Sequence, residues 1–307
     1  MYKPKVIVIC GPTASGKTAL SIELAKKING EIISCDSMQI YKDMNVGTAK
    51  VTEDEMQGIC HYLIDFVSPD ERYSVADYKV DSEKAIEKII SKGKIPIIVG
   101  GTGLYVDSLI YGIEYPEIKF DEKYRNKLEK EADEKGLETL YNKAKEIDEQ
   151  AMQKISINDR KRILRVLEIY HATGKNKTEQ EIESRKKEIK YDYKIFAINM
   201  DREKLYERIN IRVDRMIENG LIEEVENLQK KYNHFPTAMQ GLGYKEVIEY
   251  LQSQITREEM IEKIKQESRR YAKRQLTWFR KNKQTIWIDG LANLEDNINI
   301  IEKELNK

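Results

Sequence analysis

The run GPTASGKT, from Gly11 to Thr18, sets two glycines, a lysine and a hydroxyl at the spacing GxxxxGK(S/T). Residues of these types at this spacing hold phosphate. Gly11, Pro12, Thr13, Ala14, Ser15 and Gly16 can curl so that successive backbone N–H groups, Pro12 contributing none, converge on one anion. A helix starting directly afterwards adds the partial positive charge of its N-terminus. Lys17 supplies a full charge, and the Thr18 hydroxyl can hold Mg²⁺ against the phosphate oxygens. The motif specifies a diphosphate or triphosphate, not the molecule that carries it.

A loop of this kind works only between a buried strand and a helix, and both are legible. Lys5 to Cys10 is a short β-branched run that reads as a buried strand, and Ala19 to Lys27 reads as a helix. Glu31 to Cys35, Ile95 to Val99 and Tyr193 to Asn199 read as further strands, with Thr285 to Ile288 a weaker fifth. Helical patterns separate most of them, which predicts an α/β fold: a P-loop NTPase-like, mostly parallel sheet flanked by helices. The strand before Cys35 runs into Asp36, placing a carboxylate at the carboxyl edge, on a strand neighbouring the P-loop. Ligands bind at that edge of an open α/β sheet. Asp36 and Ser37 also suit a turn or N-cap, and only the nearby P-loop tips them toward chemistry. Gly100-Gly101-Thr102-Gly103 is equally two-sided: a turn requiring positive φ, or a place where backbone and ligand approach closely. The strand leading into it ends without the acid that a nucleotide-hydrolysing P-loop protein offers to its metal. Asp65 and Asp289 are poor substitutes, better read as turn or strand-end residues.

Residues 120–190 show heavy charge and helical periodicity with no strand candidate, so they read as a helical insertion within the core domain. The C-terminal third is almost entirely helical. From Asp201 to Tyr232, Leu205, Ile209, Val213, Met216, Leu221, Val225 and Leu228 form one core-facing stripe. Arg208, Arg212 and Arg215 share another face; at least one, with Arg208 and Arg212 foremost, is expected to reach the bound diphosphate or triphosphate, core-adjacent salt bridges being the equal alternative. Thr256-Arg-Glu-Glu259 carries the capping-box pattern and opens a long helix through Trp278 and Phe279.

Of the 307 residues, 53 are basic and 53 acidic, so total charge reveals no partner, but its distribution does. In NDRKRILRVLEIYHATGK, Ile163, Val166, Leu167 and Tyr170 take one helical face, Lys161, Arg162 and Arg165 the opposite one, and Gly174 is the stop. The last long helix carries Arg269, Arg270, Lys273, Arg274, Arg280, Lys281 and Lys283 with Tyr271, Trp278 and Phe279 interleaved. Such stripes are often solvated faces, yet they also suit phosphate backbones and unpaired bases. The three cysteines, Cys10, Cys35 and Cys60, form no CxxC pair, which disfavours a disulfide framework or closed zinc site. His61, His171 and His234 are isolated and receive no catalytic role. No stretch approaches twenty apolar residues, so a cytoplasmic protein with no membrane partner is expected.

With these pieces located, the chain resembles the bacterial tRNA dimethylallyltransferases along nearly its whole length. The ordered matches are GPTASGKT from Gly11, DSMQIYKDMNVGTAK from Asp36, HYLID from His61, GGTGLY from Gly100, RILRVLE from Arg162, GYKE from Gly243 and RRYAKRQLTWFR from Arg269. Lys161, Gly241 and Ser268 stand where the family usually has Gln, Ala and Thr. The resemblance implies transfer of a dimethylallyl group from its diphosphate to the exocyclic amine of an adenosine. That adenosine lies just 3′ of the anticodon in tRNAs reading codons that begin with U. It implies that residues 1–119 and 191–307 form the catalytic core and 120–190 an insertion contacting tRNA. Gly11 to Thr18 would hold the diphosphate, with Mg²⁺ on Thr18, and Asp36 would be the base. The tRNA would be met by Asp36, Ser37, Met38 and Gln39, by Thr102 and Arg125, and by Lys161, Arg162, Ile163, Leu164 and Arg165. Gln240, Gly243, Tyr244 and Lys245 would continue that surface, as would Lys273, Arg274, Gln275, Trp278 and Arg280. The expected partners are thus a tRNA anticodon stem-loop and dimethylallyl diphosphate, acting on a monomer. The alternatives are a small-molecule P-loop kinase and a non-catalytic RNA-binding NTPase switch.

Overall fold

The structure, a computed structural model, describes residues 3–115, 121–184 and 188–306. The chain divides into two compact units, one formed by residues up to Asp107 and from Lys190 onward, the other by Ser108–Ile189. The second unit therefore starts ahead of the predicted boundary, whose residues 119 and 120 lie outside the described residues.

In the first unit, six strands form one sheet in the order β3-β2-β4-β1-β5-β6. They are β1 (Lys5–Cys10), β2 (Gly30–Ser34), β3 (His61–Tyr62), β4 (Ile95–Gly100), β5 (Asp192–Asn199) and β6 (Ile286–Asp289). Every pairing is parallel, in register Ile7 to Ile97 and Ile7 to Lys194 around the central strand. β1 lies inside the sheet, so both its faces are covered, and Val6 to Cys10 are buried on either side. That is why its sequence is a continuous apolar run rather than an alternating one. Helices α1 (Lys17–Ile28), α2 (Glu53–Met56), α3 (Val75–Ser91) and α4 (Gly103–Ile110) follow the early strands, and the division between units falls within α4. Ile7, Ile9, Ile32, Ile97, Phe196 and Ile198 pack with Leu20 and Leu24 of α1 in one core cluster. Each such buried side chain contributes roughly 1.5–3 kcal/mol.

The second unit holds α5 (Glu122–Lys135), α6 (Leu137–Ile147), α7 (Glu149–Met152), α8 (Arg160–Thr173) and α9 (Lys177–Ser184). Its core joins Leu128, Leu140, Met152, Ile163, Leu164, Val166 and Leu167. Asp159 caps α8 by accepting the Arg162 N–H at 3.2 Å, and Gly174 ends it at φ 67°. Tyr170, expected on the apolar face, is 44% exposed.

Returning to the first unit, α10 (Arg202–Glu218), α11 (Leu221–Lys231), α12 (Tyr244–Leu251) and α13 (Arg257–Phe279) follow β5, and α14 (Leu294–Leu305) follows β6. The stripe predicted from Asp201 to Tyr232 is two helices, because Gly220 adopts φ 90° between them. α13 opens with the predicted capping box: the Thr256 hydroxyl accepts the Glu259 N–H at 3.2 Å, and the Glu259 carboxylate accepts the Thr256 N–H at 2.8 Å. Reciprocal caps of this kind are worth about 1 kcal/mol.

Candidate functional site

Three loops leave the carboxyl ends of β1, β4 and β2, in that spatial order, and meet at one edge of the sheet. The sequence reading placed Asp36 on a strand next to the P-loop. The structure corrects this, since β4 lies between β2 and β1 and the GGTG loop separates the two. GGTG is needed there for close approach and not for a left-handed turn. A Cβ on Gly100 would lie 2.0 Å from the Cys35 carbonyl oxygen, and one on Gly103 would lie 2.4 Å from the Trp278 ring. Trp278 is held in place by donating its indole N–H to Asp107 at 2.9 Å.

The P-loop presents α1 uncapped. Gly16, at φ 90°, precedes Lys17 and offers no side-chain cap, so the first-turn N–H groups stay available to an anion. Lys17 donates to the Pro12 carbonyl at 2.7 Å, which folds its ammonium over the loop. Ser15 is buried with its hydroxyl unpartnered.

A cavity of about 100 Å³ opens beside this loop. One part of its wall is polar: Thr13, Lys17, Thr18, Asp36, Arg212 and Tyr271. Another part is apolar: Ile32, Ala49, Val51, Ile64 and Val99. A ligand with an anionic head and a short hydrocarbon portion matches both. Burial pulls the Lys17 ammonium down to about 8, the nearby Arg212 charge adds to this, and Asp36 opposes it. Arg212 is itself lowered by burial against the same Asp36 attraction. Its Nη2 donates to the Thr48 carbonyl at 3.0 Å, while its Nε has no partner. Leaving such a donor unsatisfied costs about 1–3 kcal/mol, which a bound anion would remove. Of the three arginines predicted to share a face, Arg212 alone lines the cavity; Arg208 and Arg215 are exposed elsewhere on α10. The diphosphate role given to Arg208 is therefore withdrawn.

Asp36 is oriented by its own turn. Its Oδ1 accepts the Met38 N–H at 2.9 Å and the Gln39 N–H at 3.3 Å. The Thr102 hydroxyl accepts the Ser37 N–H at 3.1 Å, tying this turn to the GGTG loop. Asp36 thus fills both readings that its sequence allowed, turn former and cavity carboxylate. Gln39 spans the following loop by donating to the Thr48 and Ala49 carbonyls at 3.2 Å each.

Several residues expected at an RNA surface lie inside. Ile163 and Leu164 are fully buried in the insertion's core, because the apolar face of α8 must pack; Lys161, Arg162 and Arg165 remain outside. Arg125 is committed to Glu129 and Glu168, at 3.0 Å from each. Tyr244 is fully buried, its ring beneath Gly47, where a Cβ would come within 2.6 Å, and its hydroxyl donates to Glu224 at 2.7 Å. Glu224 in turn accepts the N–H groups of Asn45, Val46 and Gly47, so this pair shapes the loop. Gln275 is 6% exposed and bonded to two loops. Gln240, Lys245, Lys273, Arg274 and Arg280 are exposed, Gly243 is buried ahead of α12, and Met38 packs partly buried against the helical core.

Tyr271, read from the sequence only as an aromatic interleaved among basic residues, and His61, given no catalytic role, both line the cavity. Burial, and then the Asp36 charge, push the Tyr271 phenol upward. Burial lowers His61, whose Nδ1 lies 2.8 Å from the Ile59 carbonyl. The signal for Tyr271 was its helical phase, four residues before Gln275 and thus on the same face. As to metal, no group of three His, Cys, Asp or Glu side chains able to hold an ion occurs among the described residues. The Thr18 hydroxyl lies on the cavity wall beside the phosphate loop, which suits Mg²⁺ held mainly by phosphate oxygens. No described helix is long and apolar enough to cross a membrane.

Comparison with known proteins agrees with this geometry. A tRNA dimethylallyltransferase of Acetivibrio thermocellus is 54% identical over 285 residues, covering 92% of this chain and 91% of the relative. The tRNA isopentenylpyrophosphate transferase of Bacillus halodurans superposes with a TM-score of 0.74 at 41% identity, covering 99% of this chain and 96% of that one. A eukaryotic dimethylallyltransferase, solved in a study of its action on tRNA, gives 0.80 at 34% identity, covering 94% of this chain and 74% of its own. The family model described as IPP transferase matches residues 39–282, and on these grounds the chain belongs to the IPP transferase family.

Proposed function

We propose that this chain transfers a dimethylallyl group from dimethylallyl diphosphate to tRNA, releasing diphosphate. The acceptor is the exocyclic amine of the adenosine 3′-adjacent to the anticodon in tRNAs reading U-initial codons. One observation carries this reading: a phosphate loop and a strand-end carboxylate line the same cavity, whose remaining wall is partly apolar.

The bond to break joins an allylic carbon to a diphosphate oxygen. Negative charge grows on the departing group, and the α1 N-terminus, Lys17 and Arg212, which border the cavity, are the donors that would stabilise it. Mg²⁺ held by Thr18 and the phosphate oxygens would neutralise part of that charge. Asp36 accepts the proton that the aromatic amine gives up as its nitrogen attacks the carbon. The adenine must leave its stack to reach the cavity, which costs a few kcal/mol, less in a loop than in a duplex. Contacts from the exposed Lys161, Arg162 and Arg165 on one unit, and Lys273, Arg274 and Arg280 on the other, offset this. The chain acts as a monomer.

Purified protein incubated with tRNA and radiolabelled dimethylallyl diphosphate, without ATP, is expected to label the tRNA. ATP turnover with no label transferred would instead support a kinase or an RNA-binding switch. Two further outcomes follow from the cavity wall. Arg212→Ala is expected to raise the donor KM about tenfold or more, while Arg208→Ala leaves it within twofold, because Arg212 lines the cavity and holds a buried, unpartnered Nε there, whereas Arg208 is exposed away from it. Steady-state kinetics with donor varied at saturating tRNA checks both. Lys17 binds an anion only while protonated, and its free-enzyme value is about 8. Donor kcat/KM should therefore be flat below that pH and fall about tenfold per unit above it. A pH profile read between 6 and 10 would reject this if no alkaline limb appeared below about 9.

A further inference from the structure

We propose that Gln275 is a positioning residue for the diphosphate, a strut that sets the distance between the phosphate loop and the GGTG loop, and not a reader of tRNA. The inference rests on the transfer reading above.

Gln275 projects from the inner face of α13, with Ala272 and Phe279 buried on the same side. Its Oε1 accepts the Thr13 N–H at 2.9 Å, and its Nε2 donates to the Gly101 carbonyl at 2.9 Å. One planar amide thus joins the loop after β1 to the loop after β4. A buried amide using each end once on backbone is strongly restrained, since rotation would set like groups against each other. The fit is close from the other side too: a Cβ on Gly101 would fall 2.1 Å from Nε2, so no larger residue can stand there while the strut is in place.

The phosphate loop needs such support. Ala14, next to Thr13, holds φ 62°, a left-handed backbone that costs a non-glycine residue about 1–2 kcal/mol. Local strain of this kind persists only where surrounding contacts over-determine it. α13 supplies two of them: the Gln275 bond to Thr13, and packing of the Ala14 methyl against the cluster containing Ala272 and Leu276. Removing the strut frees the Thr13 peptide to turn and lets the strained loop relax, which misaims the N–H groups that follow. The basic side chains neighbouring Gln275 on the helix, Lys273 and Arg274, are exposed and point away from the buried face that Gln275 occupies. RNA contact and loop support are therefore separable within one helix.

The experiment uses the full chain with three variants: Gln275→Met, close in length but unable to bond either loop; Gln275→Glu, which keeps the acceptor for Thr13 but opposes the Gly101 carbonyl; and Gly101→Ala. Calorimetric binding of dimethylallyl diphosphate and of inorganic diphosphate is measured without tRNA, and tRNA binding by filter retention without donor. Gln275→Met is expected to weaken both diphosphates about tenfold or more and to leave tRNA affinity within twofold. Gln275→Glu should weaken them at least as much. Gly101→Ala should match the loss in the single Met variant, and combining the two should add little, since both break one linkage. Lost tRNA affinity with unchanged diphosphate binding, or full additivity of the pair, overturns the proposal. A wild-type protein that binds dimethylallyl diphosphate but transfers nothing to tRNA counts against the transfer reading and leaves the strut standing.

Discussion

Asp36→Asn is expected to lower turnover by about 10²–10⁴-fold while donor and tRNA affinities stay within threefold of wild type. The substitution keeps an oxygen able to accept the Met38 and Gln39 N–H groups, so the turn that aims residue 36 survives. What disappears is the base, and with it the destination of the amine proton. Asp36→Ala removes the turn acceptor as well and should add a loss of stability of about 1 kcal/mol. The carboxylate also opposes the burial that lowers Lys17, so the alkaline limb of donor kcat/KM should move below about 8 in Asp36→Asn. Single-turnover transfer at saturating substrates, together with that profile, decides the matter. Near-normal turnover in the asparagine variant would remove Asp36 from the proton-accepting role.

Lys17→Met should be as damaging, by a different route. One preorganised donor to a developing oxyanion is worth about 10²–10³-fold in turnover, and Lys17 adds a full charge to the donor's binding as well. Both KM and kcat should suffer, and excess donor should not restore the rate. Stability should change the other way. The folded value, about 8, lies below that of an unfolded lysine, so the native state holds a charge it disfavours. That cost is fully present below pH 8 and fades as pH rises from 8 toward the unfolded lysine's range, because there the unfolded chain binds more protons. Methionine removes the cost, so the ligand-free variant should melt at or above the wild-type temperature at neutral pH. A calorimetric scan showing clear destabilisation would mean that Lys17 supports the loop mainly through its bond to Pro12. The combination of collapsed activity and undiminished stability marks a residue kept for its ligand.

Much of this was written in local sequence. The P-loop declares itself because phosphate binding requires glycines, a lysine and a hydroxyl at fixed spacing between a buried strand and a helix. Five of the six strands were legible as short β-branched runs. β3 was not, because its two residues, His61 and Tyr62, are too few to carry a period. The capping box at Thr256 and the stop at Gly174 were readable because they act within one turn of chain.

Contacts between distant segments were decided only in three dimensions. Helical spacing placed three arginines on one face, but the packing of α10 alone determined that Arg212 enters the cavity and Arg208 meets solvent. Motif membership grouped Ile163, Leu164, Tyr244 and Gln275 with RNA-facing neighbours, yet a helix buries one face at its 3.6-residue period, and these four fell on inner faces. Strand order could not be read along the chain either, so the sequence did not disclose that β4 separates Asp36 from the P-loop. Spacing along the chain sufficed for the phosphate loop, whose chemistry is backbone and local. The arrangement of Asp36, Arg212, Tyr271 and Gln275 around it arises from parallel pairing and helix packing, which join residues that no local pattern connects.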